Sequence, residues 1–328
     1  MEKIYCIIGA TSDIGIAYLK ELEKQNEKIK VIAIYFGDKE KLENIVNTFK
    51  KECVFMLEIS KIEELKTKAK NIRRNIVEMV YSASSGHPGG SLSITDVLTA
   101  LYFSELNVDI NNPKDENRDR LVLSKGHCSP ALYSALAEKG FIPKEDLKTF
   151  RKVDSYLQGH PDMKKIPGVD MTSGSLGQGL SVANGMALSA KLDGKNYRVY
   201  CIMGDGEIEE GQIWEAAMTS SHYKLDNLCA IVDNNDLQID GKVREVMNPY
   251  PIDKKFESFG FNTIVIDGHN FDEILKAFEQ AKETKGKPSV IIAKTLKGKG
   301  VSYMENKAGW HGKAPNEEEY KIALEELV

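Results

Sequence analysis

The chain has 328 residues, of which 41% are hydrophobic and 28% are charged, a balance typical of a globular protein with a large core. Its formal net charge of −5 argues against a nucleic-acid-binding surface, because neutralising phosphates requires clustered excess Lys and Arg. No apolar stretch approaches the roughly 18 residues that span a membrane, and the amino terminus does not resemble a signal peptide. We therefore expect a cytoplasmic protein without membrane or nucleic-acid partners, in which the five scattered cysteines remain free thiols.

The pattern of residues 1–60 predicts an N-terminal unit in which strands and helices alternate. The predicted strands are residues 4–8, 31–36 and 53–59, and the predicted helices follow the first strand to about residue 25 and occupy residues 39–51. This β-α-β-α-β order is half of a doubly wound, Rossmann-type dinucleotide fold. Nothing after residue 60 continues that fold, so we expect a truncated Rossmann-like segment.

The loop after the first strand has the sequence GATSDIG, residues 9–15. It resembles the cofactor loop of short-chain dehydrogenases, but Asp13 stands where that family usually has glycine. A carboxylate there repels a diphosphate where close backbone approach is needed. Tyr35 and Lys39 match the catalytic Tyr-x-x-x-Lys spacing of that family by count only, because they lie at the end of a strand and not on a later helix. An NAD-dependent reductase is therefore the weaker alternative.

At about residue 60 the pattern changes to a charged amphipathic helix, which begins a second predicted domain over residues 61–328. Strand and helix patterns then alternate, and this alternation predicts an α/β fold with a parallel sheet covered by helices on both faces. The predicted strands of this sheet are residues 121–123, 199–203, 228–232, 263–266 and 289–294.

Four of the six histidines lie beside glycine in the irregular segments between these elements. They are His87 of SSGHPGGS, His127 of SKGH, His160 of LQGHP and His311 of WHG. Imidazoles that converge on a pocket, neutral or protonated, suit proton transfer near neutral pH. The other two are predicted to lie elsewhere, His222 in a helix and His269 in a loop after a strand.

Two neighbouring predicted strands end in short polar sequences, GDG at residues 204–206 and DNN at residues 233–235. The glycines allow backbone amides to approach an anion, while Asp205 and a following Asn supply the oxygen ligands that Mg²⁺ prefers. Glu209 and Glu210 are expected in the first turn of the helix between the strands, where the helix dipole favours carboxylates. The combination suits a diphosphate held through a divalent cation.

Residues 204–235 together resemble the thiamine diphosphate motif of the transketolase family, and the resemblance extends from about Lys61 to the end of the chain. It implies a thiamine-diphosphate-binding fold with thiamine diphosphate and Mg²⁺ as cofactors, and Ca²⁺ or Mn²⁺ as substitutes for Mg²⁺. The implied metal ligands are Asp205, the Asn235 side chain and the backbone carbonyl of Leu237. The implied cofactor contacts are His127, Gly174, Ser175, Leu176, Gly206, Glu210, Asn235 and His311. The implied catalytic residues, which contact the sugar, are His87, His160 and His311.

Full-length transketolases carry a second, pyrimidine-binding domain further along the chain, with the glutamate that activates the cofactor and the arginines that bind the sugar phosphate. This chain ends before such a domain. The resemblance therefore implies an N-terminal subunit that needs a C-terminal pyrimidine-binding subunit, in a heterotetramer that transfers a two-carbon ketol unit between sugar phosphates of the pentose phosphate pathway. Two alternatives stay open: ketol transfer from a modified or sulfonated sugar, and a non-catalytic assembly subunit.

Overall fold

The structure is a computed structural model that describes residues 61–328 and, as backbone strands, residues 3–8, 29–36 and 54–59. The chain divides into two compact units, Met1–Thr67 and Lys68–Val328. The first unit contains a parallel sheet of three strands in the order β1-β2-β3. These strands are β1 (Lys3–Ile8), β2 (Ile29–Phe36) and β3 (Val54–Ile59), close to the predicted positions. The predicted helices between them and the GATSDIG loop lie outside the described residues.

The described helices begin with α1 (Lys61–Ala83), within which the boundary between the two units falls. The helices that follow are α2 (Pro88–Ser93), α3 (Thr95–Ala100), α4 (Ser129–Lys139), α5 (Gly179–Leu192), α6 (Gly211–His222), α7 (Val243–Val246), α8 (Ile252–Ser258), α9 (Phe271–Glu283) and α10 (Glu317–Glu326). Within the described part of the chain, no helix is long and apolar enough to cross a membrane.

The second unit is built on a five-stranded sheet in the order β4-β5-β6-β10-β9, with every neighbouring pair parallel. Its strands are β4 (Arg120–Leu123), β5 (Val199–Gly204), β6 (Leu228–Asn234), β9 (Asn262–Asp267) and β10 (Ser289–Lys294). A small antiparallel pair, β7 (Leu237–Gln238) and β8 (Gly241–Lys242), follows β6. The predicted α/β fold with a helix-covered parallel sheet is confirmed.

Helices cover both faces of this sheet because its central strands are apolar on both faces. On one face, Val199 and Met203 of β5 belong to a core cluster with alanines of α5 and α6. The intervening Tyr200 points to the other face and packs edge-on against Phe278 of α9, with ring centroids 6.0 Å apart. The alternation of strand side chains thus gives each face its own apolar core. Since all five strands are parallel, their carboxyl ends lie along one edge of the sheet.

The predicted start of the helix after β5 is wrong. Glu209 lies in a short 3₁₀ turn, Glu207–Glu209, and Glu210 has extended backbone immediately before α6 begins at Gly211. The turn is held by the Glu207 carboxylate, which accepts a hydrogen bond from the Gly204 amide at 3.0 Å. The chain therefore folds back on the end of the strand before the helix can start.

We predict that Phe256→Ala lowers the free energy of unfolding by about 3–5 kcal/mol, because the change leaves a cavity in the core. Phe256 is fully buried, and its ring lies 5.0 Å from Trp214 and 5.3 Å from Phe261. Urea denaturation followed by circular dichroism measures the loss. The control is Leu192→Ala on exposed α5 surface, with an expected effect within about 0.5 kcal/mol. Equal effects of the two substitutions would contradict the buried position of Phe256.

Candidate active site

A cavity of about 270 Å³ lies where β4, β5, β6 and β10 end. The loops that leave these strands contribute Lys125, Asp205, Asn235 and Lys297 to its wall. The structure brings together most of the predicted site residues, since the wall includes His87, His127, His160, Gly174, Leu176, Asp205, Gly206, Asn235, Leu237 and His311.

Two predicted cofactor contacts, Ser175 and Glu210, do not line this cavity. Ser175 is exposed between Gly174 and Leu176, which do line it. Glu210 is also exposed, and it lies against Gly177, where an added Cβ would come within 2.8 Å of the Glu210 Cβ. After β5 it is the Glu207 side chain, and not that of Glu210, that points into the cavity. The cofactor contacts of Ser175 and Glu210 stay predictions.

The buried carboxylate of Asp233, on β6, joins the segments that surround the cavity. Its Oδ2 accepts hydrogen bonds from Lys125 Nζ at 2.5 Å, Ser93 Oγ at 2.5 Å and Asn235 Nδ2 at 3.1 Å. Its Oδ1 accepts from the hydroxyl of Thr295, in the loop after β10. Asp233 and Lys125 are 0% and 2% exposed, so they form a fully buried ion pair.

The three predicted metal ligands lie next to this ion pair. Asp205 is buried, and its pKa is raised to about 6 by burial and by the neighbouring Asp233. The Asn235 Oδ1 atom accepts a hydrogen bond from the Leu237 amide at 3.2 Å. Among the described residues no cluster of three His, Cys, Asp or Glu could hold a metal ion. A cation held by Asp205, Asn235 and the Leu237 carbonyl would thus need further oxygen ligands, such as those of a phosphate.

Two buried lysines line the cavity, and sequence analysis missed both. Lys125 is neutralised by Asp233 and also donates to the Gly90 carbonyl at 3.0 Å. Lys297 donates to the Leu237 carbonyl and to His311 Nδ1, each at 3.0 Å, and burial lowers its pKa. No carboxylate in the described part of the chain forms an ion pair with Lys297. The cavity therefore holds an ammonium group without a neutralising partner, a suitable contact for an anion.

Glu207 was also missed, although it is buried and lines the cavity. Its Oε1 accepts from the Gly177 amide at 3.0 Å and from the hydroxyl of Ser124, and its Oε2 accepts from the Gly204 amide at 3.0 Å. Ser124 Oγ in turn accepts from the Gly179 amide at 3.1 Å. Glu207 thus fixes the glycine-rich loop before α5 against the ends of β4 and β5.

Three of the four glycine-flanked histidines form a cluster of rings. The ring centroids of His87 and His127 are 5.3 Å apart, those of His87 and His311 are 5.4 Å apart, and those of His127 and His311 are 5.1 Å apart. His160 is exposed and lies beside Gly174, where an added Cβ would be 3.5 Å from its ring. The Nδ1 atom of His87 is buried and has no hydrogen-bond partner within residues 61–328.

Burial is the main cause of lowered pKa values in this cluster. The pKa of His87 falls to about 4 through burial and His127, and that of His127 to about 4 through burial and Lys125. Burial and Lys297 lower the pKa of His311 to about 2. The pKa of His160 is lowered as well, by burial and His127. The sequence left both protonation states open, and the structure favours neutral imidazoles at the cavity wall.

The other two histidines lie outside the cavity. His222 ends α6, which agrees with its predicted place in a helix. His269 lies in the loop after β9, as predicted. Its Nδ1 lies 2.7 Å from Asp96 Oδ2, and its Nε2 accepts from the Leu296 amide at 2.8 Å. Asp96 also forms a buried ion pair with Arg73. His269 thus supports the backbone next to Lys297, through long-range contacts that no local pattern indicates.

We predict that His87, His127 and His311 stay neutral at about pH 5.5 in the ligand-free protein, where a histidine of ordinary pKa is mostly protonated. Their pKa values of about 4, 4 and 2 are the reason. Ring ¹⁵N chemical shifts in an NMR pH titration, assigned with single His→Asn variants, provide the measurement. If the titration midpoint of any of the three histidines equals the ordinary histidine pKa, the buried position of that histidine is contradicted.

The same shifts link stability to pH. Between the ordinary value of 6.5 and about 4, the unfolded chain binds a proton at His127 that the folded chain does not bind. The contribution of this histidine to stability is therefore full above pH 6.5 and is lost as the pH falls towards 4. We expect His127→Asn to reduce the loss of stability that urea denaturation detects between about pH 7 and pH 5. If the free energy of unfolding of His127→Asn depends on pH as in the wild type, the lowered pKa of His127 is contradicted.

Comparison with known proteins agrees with this geometry. The family model of the transketolase thiamine diphosphate binding domain matches residues 65–327, and the chain therefore belongs to this family. A second model, of 1-deoxy-D-xylulose 5-phosphate reductoisomerase, matches residues 5–87. That range includes the segment whose loop resembles short-chain dehydrogenases, and it overlaps the first match over residues 65–87, most of which lie in α1.

Several relatives are themselves subunits. The chain is 49% identical to the 6-deoxy-6-sulfo-D-fructose transketolase subunit of Clostridium sp. (strain MSTE9), over 80% of this chain and 96% of that protein. It is 46% identical to an apulose-4-phosphate transketolase subunit of Phocaeicola vulgatus, over 81% of this chain and 94% of that protein. The structure of transketolase from Campylobacter jejuni matches with a TM-score of 0.76 and 38% identity, over 80% of this chain and 42% of that one. The chain is thus a transketolase-type enzyme subunit.

Proposed function

We propose that this chain is the thiamine-diphosphate-binding subunit of a two-subunit transketolase that transfers a two-carbon ketol unit from a ketose to an aldose, with Mg²⁺ as second cofactor. One observation carries the proposal: Asp205, Asn235 and Leu237 meet His127 and Lys297 in a single cavity where the parallel strands end. This cavity offers oxygen ligands for a cation beside nitrogen donors for an anion.

The donor set fits a divalent cation. Asp205 is a buried carboxylate that repulsion from Asp233 and loss of solvent both destabilise, so a bound cation offsets an existing cost. The Asn235 amide oxygen and the Leu237 carbonyl are neutral oxygen ligands of the kind that Mg²⁺ and Ca²⁺ accept. Asp205, Asn235 and the Leu237 carbonyl would therefore hold the metal together with oxygens of the diphosphate.

The nitrogen donors fit a diphosphate. Lys297 is a buried ammonium group with no carboxylate ion-pair partner among the described residues, and His127 and His311 stand beside it. Gly206 lies in the cavity wall, and its lack of a side chain allows it to pack closely on Gln238, whose Cβ would be 3.2 Å from an added Cβ. Lys297, His127, His311 and the Gly206 backbone would therefore bind the diphosphate.

Bound here, thiamine diphosphate supplies the electron sink for cleavage of the ketose carbon–carbon bond. The chain itself binds and orients the sugar and transfers protons to and from its hydroxyl groups. A neutral imidazole both donates and accepts hydrogen bonds, so His87, His160 and His311 suit sugar hydroxyls and the protons that leave and return at them.

The partner that we propose is a C-terminal, pyrimidine-binding subunit. Two relatives matched over nearly their whole length are named as subunits, whereas this chain spans 40% of human transketolase at 44% identity. Apolar side chains at the cavity support a covered mouth, since Leu176 and Ile239 line it and are 38% and 68% exposed. Pairing of two such heterodimers into a heterotetramer would follow the two-fold symmetry common in oligomers.

A second candidate substrate is a sulfonated sugar. The observation that favours it is the 49% identity to a protein whose name specifies 6-deoxy-6-sulfo-D-fructose. The ketol transfer is the same for both donors, because the two-carbon unit lies at the opposite end of the sugar from the sulfonate or phosphate. Comparison of a ketose phosphate with 6-deoxy-6-sulfo-D-fructose as donors separates the two candidates.

We predict that the isolated chain has negligible ketol transfer with thiamine diphosphate and Mg²⁺, and that a C-terminal partner subunit restores it. The physical reason is that apolar residues are exposed at the mouth of the cavity, where the proposed partner would cover them. Turnover is measured for the chain, the partner and the mixture, each with both donors. A chain whose activity does not change with the partner present would contradict the two-subunit proposal.

We predict that Asp205→Asn weakens Mg²⁺-dependent binding of thiamine diphosphate to the complex by more than the roughly 10–100-fold that loss of an outer partner costs. Titration calorimetry with and without Mg²⁺ measures the effect. Asp240→Asn is the matched control, because Asp240 is an exposed carboxylate outside the cavity wall. Normal Mg²⁺-dependent affinity in Asp205→Asn would argue against the metal site and favour a subunit without catalytic function.

A further inference from the structure

The carboxylate of Asp205 is held by three hydrogen-bond donors of the chain. Its Oδ1 accepts from the Gly206 amide at 2.9 Å. Its Oδ2 accepts from the side-chain amide of Asn234 at 3.1 Å and from the backbone amide of Asp236 at 2.5 Å. Oδ1 has one donor where Oδ2 has two, so Oδ1 is the less occupied oxygen of this carboxylate.

Both donors to Oδ2 are themselves held by one hydroxyl, that of Tyr250. The second hydrogen of the Asn234 amide is donated to Tyr250 Oη at 2.6 Å. Tyr250 Oη in turn donates to Asp236 Oδ1 at 3.0 Å. Asp236 has a φ of 63°, in the left-handed region that Asp adopts more readily than most residues other than glycine.

On the solvent side, Arg244 contacts both Tyr250 and Asp236. Its guanidinium lies 3.5 Å from the centroid of the Tyr250 ring, and its Nε lies 3.3 Å from Asp236 Oδ1. Tyr250 is only partly buried, and it belongs to the loop before α8 rather than to the cavity wall. Its hydroxyl is linked by hydrogen bonds to Asn234 and Asp236, which in turn donate to Asp205.

We propose that Tyr250 and Asn234 are positioning residues that fix the Asp205 carboxylate so that its Oδ1 is presented to a divalent cation. This inference rests on the proposed metal site and adds the mode of binding, through one oxygen only. Without the Tyr250 hydroxyl, the Asn234 amide loses an acceptor and the Asp236 side chain loses a donor. Both groups that hold Oδ2 then become free to move, and the carboxylate is no longer preorganised.

The test uses Mn²⁺ as the probe, because free Mn²⁺ is counted directly by electron paramagnetic resonance without reference to activity. The complex of the full chain with its partner subunit, as in the Asp205→Asn prediction, is titrated with Mn²⁺ at saturating thiamine diphosphate. We expect Tyr250→Phe to raise the dissociation constant of Mn²⁺ roughly 10-fold or more, as loss of an outer partner does at other metal sites. The thermal midpoint of the metal-free variant should stay close to that of the wild type, since only one hydroxyl is removed.

Tyr197→Phe is the matched control. Tyr197 also donates through its hydroxyl, to the Met186 carbonyl at 3.1 Å, but it lies outside the cavity wall. Its loss should leave Mn²⁺ binding unchanged. Asn234→Ala should weaken Mn²⁺ binding like Tyr250→Phe, and the double variant should fall short of the product of the two single effects, because the hydroxyl acts partly through the amide.

The outcomes separate this inference from the proposed function. Normal Mn²⁺ binding in Tyr250→Phe, with binding lost in Asp205→Asn, would overturn the positioning role and leave the metal site intact. Equal weakening by Tyr197→Phe would overturn it too, as a general effect of hydroxyl loss. Absence of Mn²⁺ binding in the wild type, or full binding in Asp205→Asn, would overturn the metal site and this inference with it.

Discussion

The buried ion pair between Lys125 and Asp233 is the interaction on which the cavity depends. Asp233 lies on the central strand β6, and its carboxylate is shared by groups from four separate segments: Ser93, Lys125, Asn235 and Thr295. Loss of either charge would leave the other uncompensated away from water, a cost of about 3–5 kcal/mol in comparable pairs. The parallel sheet brings these segments to one edge, and the Asp233 carboxylate joins them there.

The residues that we propose as oxygen ligands, and the histidines of the cavity wall, can be placed together from the sequence because their signals are local. GDG and DNN each follow an apolar run, and parallel strands must end at a common edge, so the sequence alone places Asp205 and Asn235 together. Histidines beside glycine, such as His87 and His160, cannot pack well in a core, and this favours a place in the site. The strand positions follow from apolar runs in the same way.

The missed residues depend on contacts between distant parts of the chain. Lys297 belongs to a basic run that is typical of a surface, yet it is 2% exposed because its loop turns into the cavity. Glu207 is one of three acidic residues after GDG, and it turns inward to contacts that include the distant Gly177 amide and Ser124 hydroxyl. The same inward turn explains the wrong helix start at Glu209 and Glu210. The role of His269 escapes local patterns because Asp96 is far from it in sequence.

The neutral state of the imidazole cluster has a consequence for binding heat. An anion that enters the cavity favours the protonated form of each nearby imidazole, since opposite charges attract. Anion binding is then linked to proton uptake from solvent, and affinity for the anion rises as the pH approaches the pKa values of about 4 at His87 and His127. The heat of binding would therefore depend on the ionisation enthalpy of the buffer, and the slope of that dependence counts the protons taken up.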